Sequence, residues 1–121
     1  MTHRSAWGLL ALLVLVLLLG TQMPGAWRGS LEHSLHAPFP LSSLAHFVVF
    51  AGMGGLLVAR PLAWPVGRVV LAALGLALLT EGLQFWAVDR HPRWVDVGID
   101  MGGVVTGMGM TNVFAFRLAR R

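Results

Sequence analysis

The sequence predicts an all-α integral membrane protein, a single domain over residues 1–121 built as a four-helix transmembrane bundle with both termini cytoplasmic. Three observations predict it. The chain is 56% hydrophobic and only 12% charged, with a mean hydropathy of +0.73, too apolar for a domain with a water-facing surface. Its apolar residues fall in runs of the ~20 residues that a bilayer-spanning helix needs. Its basic residues, all nine of them arginine, gather at alternate connections between those runs.

The first run, 6–23, begins after His3 and Arg4 and is stopped by Pro24. A signal peptide ending near Pro24-Gly25-Ala26 is the competing reading, but the run is long enough to span and the chain beyond it is itself apolar, so a retained helix is expected. Residues 24–40 read as a loop, punctuated by Pro24, Gly25, Gly29, Pro38 and Pro40, with Trp27 suited to a membrane interface. His33 and His36 in it are a weak metal pair, better read as solvated. The second helix is expected over 41–59, with Ser42 or Ser43 as its cap.

After a short turn with Arg60, Pro61, Pro65 and Arg68, the third helix is expected over 66–88 and the fourth over 95–116. Gly98-x-x-x-Gly102 and Gly103-x-x-x-Gly107 in the fourth suit close approach of helix backbones in a membrane. Arg4, Arg60, Arg68, Arg117, Arg120 and Arg121 fall on one side of such a topology and Arg28, Arg90 and Arg93 on the other, which puts the termini inside.

Several function classes drop out. The arginines form no stripe along one element, so the pI of 11.7 does not indicate nucleic acid. Cysteine is absent, which removes disulfides, thiolate nucleophiles and cysteine-held metals. No cofactor or metal is expected, and there is neither an HExxH pattern nor a serine elbow, so the reading leans away from an enzyme.

Chemistry concentrates where His46, Glu81, Gln84, Arg90, Arg93, Asp96 and Asp100 share the outer half of the bundle. Glu81 and Gln84, at i and i+3, lie on one helix face, and Asp96, Asp100, Gly103 and Gly107 on another. A stripe that packs closely and also carries acids turns both carboxylates inward, since an unpaired carboxylate in hydrocarbon is costly. Ionisable groups at membrane depth are candidate functional groups by default.

Glu81-x-x-Gln84, Arg90, Asp96 and Gly103, with Ala45-His46-Phe47 and Phe50 upstream, resemble the signature of the VanZ-like family of small bacterial membrane proteins, over roughly residues 41–109. Ser42 and Ser43 stand where the family often has Asp-Lys, and Asp100 where it usually has asparagine. The resemblance implies a multi-pass protein of the bacterial cytoplasmic membrane, in a family named for resistance to the lipid-bearing glycopeptide teicoplanin.

Three functions are therefore in view beside transport, for which a bundle this small would need an oligomer. One is an extracytoplasmic site for a membrane lipid headgroup, a lipid-linked cell-wall precursor or a lipoglycopeptide, with arginines meeting phosphate and acids accepting from sugar or amine. The second is a structural network in a non-catalytic protein, Arg90 clamping Asp96 or Glu81. The third is a metal-assisted membrane enzyme in which His46 and the acids act on a lipid-linked phosphate. The glycine faces at 98–109 and 52–55 serve a homo-oligomer as readily as packing within the chain.

Overall fold

The computed structural model describes residues 1–36, 41–86 and 93–121. Among them the chain is all-helical, with no strand: α1 (His3–Thr21), α2 (Gly25–Ser34), α3 (Leu41–Val58), α4 (Val66–Leu83, continued by a 3-10 turn Gln84–Trp86) and α5 (Trp94–Ala119). Three of these, α1, α3 and α4 with its 3-10 turn, are long and apolar enough to cross a membrane. Helix α5, expected as a fourth span, is the longest at 26 residues but interrupts its apolar positions with Asp96, Asp100, Thr106, Thr111 and Asn112.

Each boundary has a local cause. Thr2 and Ser5 form a reciprocal cap at the start of α1, the Ser5 N–H donating to Thr2 Oγ1 (3.1 Å) and the Thr2 N–H to Ser5 Oγ (2.9 Å). The expected loop at 24–40 is corrected by α2. Pro24 stands immediately before that helix, where a missing N–H removes no helical hydrogen bond, so the proline that stops α1 also opens α2. The expected serine cap of α3 is corrected as well: Ser42 and Ser43 lie inside the helix, and the Leu41 N–H donates to Glu32 Oε1 of α2 at 2.9 Å.

The closest packing joins α3 to α5, which run parallel. Along the pair, Phe47 meets Gly103, Ala51 meets Gly107 and Gly55 meets Thr111, both numbers rising by about one turn at each step, and His46 meets Asp100 at the start of the series. Gly103 and Gly107 have no room for a β-carbon: one would strike the Phe47 and Ala51 backbones. Gly54 reciprocates from α3, where a β-carbon would sit 2.6 Å from the Val104 carbonyl oxygen. Gly98 and Gly102 lie outside this seam, correcting the expectation. Gly98 faces open space, and Gly102 has only the Phe47 ring within van der Waals reach. Five residues separate Gly98 from Gly103, which is about 140° around a helix.

Helix α1 packs on the far side of α3, with Leu13 against Gly52. At the opposite end from Asp100 the Trp7 and Trp64 rings meet edge to face, centroids 6.0 Å apart, and Arg68 lies over Trp64. Between these ends a core of Phe50, Met53, Val69, Ala73 and Val104 is closed to the outside. The distribution of polarity is inverted relative to a water-soluble protein: Leu12, Leu19, Leu71, Leu79 and Phe114 are exposed while His46, Glu81, Gln84 and Asp100 are buried. Such a surface is stable where hydrocarbon covers it.

Candidate functional site

The glycine seam positions the most deeply buried polar pair. Beside the Phe47–Gly103 contact, His46 Nδ1 comes 2.9 Å from Asp100 Oδ1, the side chains 8% and 0% exposed. The imidazole uses Nδ1 for this contact, so Nε2 is the ring nitrogen left for other partners. Phe50, one turn along α3, stacks on the imidazole with ring centroids 6.4 Å apart. Asp100 Oδ2 is buried and has no hydrogen-bond partner among the described residues.

A second group of bonds closes the α4–α5 connection. Glu81, buried in the last turn of α4, accepts the Arg93 N–H on Oε2 at 2.9 Å and the Gln84 side-chain amide on Oε1 at 3.4 Å. The N–H it satisfies stands just before the first turn of α5, where helical N–H groups lack partners within the helix. Arg93 Nε then reaches Asp96 Oδ2 at 3.5 Å. Glu81 is within electrostatic range of Asp96, Asp100 and His46, so α3, α4 and α5 each contribute to one polar centre.

His46, Glu81, Gln84, Arg93, Asp96 and Asp100 are thus brought to one end of the molecule, while Arg90, with Asp89 and His91, lies outside the described residues. Among the described residues no three histidine or acidic side chains converge closely enough to hold a metal ion. His33 and His36 are exposed, their rings 6.4 Å apart.

Two clefts open beside this centre. One, about 310 Å³, lies between α4 and α5, where Glu81 and Arg93 face Leu78, Phe85, Trp94 and Val97. The other, about 190 Å³, lies between α1, α2 and α3, lined mostly by aliphatic side chains with Arg28, Ser42 and His46 among them. Sequence reasoning missed Gln22, whose side-chain amide donates to the Leu83 carbonyl at 3.0 Å and ties α1 to α4. It also missed Arg28, which pairs with Glu32 across 4.0 Å. The signals were present: a glutamine ending an apolar run, and an Arg/Glu pair at i and i+4, a helical spacing inside a stretch read as loop.

Comparison with family models, with curated proteins and with solved structures finds no match to this chain.

Proposed function

We propose that the chain is a VanZ-like protein of the bacterial cytoplasmic membrane that binds a polar lipid headgroup or lipid-linked cell-wall precursor in the cleft between α4 and α5. In this reading α1, α3, α4 and α5 all cross the bilayer and both termini are cytoplasmic. The parallel contact of α5 with α3 supports a shared path through the membrane. The arginine asymmetry supports the orientation, and the exposed Phe85, Trp86 and Trp94 sit where an interfacial aromatic belt belongs. A single-cysteine test suits a chain without cysteine: an impermeant maleimide added outside is expected to label Trp27→Cys and spare Ala119→Cys, and the reverse pattern would invert the topology.

The observation that carries the binding reading is the juxtaposition of Arg93 and Glu81 on an otherwise apolar wall at a helix end. The Arg93 side chain is 56% exposed and can give its guanidinium to a phosphate, while Asp96 holds it in place. Carboxylate oxygens of Glu81 and Asp96 can accept from hydroxyl or amine groups. The amphiphilic glycopeptide of the resistance phenotype offers the same combination of acyl chain and polar head. Lipids co-purified in mild detergent are the direct test. Arg93→Gln is expected to lower retention of a phosphate-headed lipid by about tenfold, the scale of one charge-assisted hydrogen bond. Unchanged retention removes the cleft from consideration.

A structural role is favoured by a separate observation: both Glu81 oxygens are already used within the chain, on Arg93 and Gln84. On that reading Glu81→Gln lowers stability by about 1–3 kcal/mol, and the retained lipids of both variants match the wild type.

A further inference from the structure

The second cleft is a candidate site in its own right, separate from the one between α4 and α5. Helix α2 roofs it, α1 and α3 wall it, and its polar groups are gathered at one end. Away from α2 it is lined by Val16 and Leu17 of α1 and Val49 of α3. Toward α2 come Ser42 and His46, one helical turn apart on α3, and Arg28. Asp100 holds the imidazole from behind through Nδ1, and Nε2 makes no hydrogen bond to another described residue. Arg28 is only loosely engaged, because Glu32 Oε1 lies 4.0 Å from its Nε and 2.9 Å from the Leu41 N–H it caps.

We propose that this cleft binds one chain of an anionic lipid whose head is a phosphate monoester. The phosphate meets Arg28, the Ser42 hydroxyl and His46, and the tail runs along Leu17, Gly20 and Val49. Charge complementarity selects this occupant. Arg28 and a histidine with Nε2 available line the head end, and Asp100 is engaged through that ring's other nitrogen. Aliphatic side chains line the remainder. At about 190 Å³ the cleft holds only part of a lipid, and the rest of the tail lies in the bilayer against the exposed Leu9 and Leu12 of α1. This assignment shares the membrane placement proposed above but uses neither Glu81 nor Arg93.

The test uses the full chain in phosphatidylcholine vesicles containing phosphatidic acid with a diazirine on its acyl chain. Illumination is expected to attach the probe to α1 and α3 near Leu17 and Val49. Arg28→Gln is expected to reduce that labelling by about tenfold, and Arg28→Lys, which keeps a point charge, to restore part of it. Arg28→Gln also removes the contact with Glu32, so a variant that leaves every polar group alone is needed. Gly20→Leu places bulk on the wall of the cleft at a position with open space around it, and is expected to block labelling with no loss of thermal stability. Arg93→Gln is expected to label as the wild type does, even if it abolishes binding between α4 and α5. Equal labelling by a phosphatidylcholine carrying the same diazirine would overturn the assignment. So would undiminished labelling of Arg28→Gln or of Gly20→Leu, or attachment confined to α4 and α5.

Discussion

Gly107→Ala, the addition of one methyl group, is expected to destabilise the fold by about 3 kcal/mol or more, at the upper end of what overpacking costs. The β-carbon would enter the space of the Ala51 carbonyl, and a backbone carbonyl in mid-helix cannot swing aside as a side chain can. Relief requires α3 and α5 to separate. Because the Phe47–Gly103 and Gly54–Val104 contacts lie along the same seam, separation loosens those too, together with the His46–Asp100 bond beside them. Gly109→Ala, two residues on and facing open space, is the control and is expected to match or slightly exceed the wild type, since alanine favours helix over glycine. Chemical unfolding of the two variants in the same detergent makes the comparison. Equal midpoints would mean that α3 and α5 do not meet at backbone distance.

His46→Leu is expected to cost about 3–5 kcal/mol, the penalty of leaving a buried charge without its partner. Asp100 has no alternative: it is fully buried, its Oδ2 lacks a hydrogen bond among the described residues, and its Oδ1 depends on His46. A buried pair replaced as a unit by apolar side chains is often neutral or stabilising, so His46→Leu with Asp100→Leu is expected to recover most of that loss. The double-mutant cycle separates a pair that is retained for stability from one that is retained for another purpose. A stable double variant that no longer retains lipid assigns the pair to binding. Additive losses would mean that the two residues act independently and that the 2.9 Å contact contributes little.

The long helices were legible because Leu and Val runs of the right length have few other readings, and the acids at 96 and 100 shared a face with Gly103 and Gly107 by spacing alone. The partner of that face was not legible. Periodicity describes one helix at a time, so nothing in it pairs Gly103 and Gly107 with Phe47, Ala51 and Gly54. For the same reason the sequence offered His46 three acids, Glu81, Asp96 and Asp100, on equal terms. The parallel register of α3 and α5 selects Asp100. Helix α2 was hidden by its own punctuation: Pro24, Gly25 and Gly29 resemble a loop when counted, yet a proline before the first turn is compatible with a helix. Losing α2 also concealed Arg28 and Glu32, and with them the smaller cleft and the cap of α3.

The parallel contact between α3 and α5 also bears on biogenesis. The two are not consecutive, since α4 intervenes, so the seam cannot close until α5 has emerged from the ribosome. In a membrane α5 is poorly equipped to enter alone, because a buried aspartate opposes insertion, by up to about 2.5–3.5 kcal/mol for one at the centre of an isolated apolar helix. Helix α3 supplies the compensation, with a glycine-lined docking groove and a histidine placed for that carboxylate. On the topology proposed above, residence of α5 in the bilayer is conditional on a helix made some fifty residues earlier. The earlier helices act as an assembly template, and damage to the α3 groove should appear first as failed integration and degradation of the nascent chain, before any effect on what the mature protein binds.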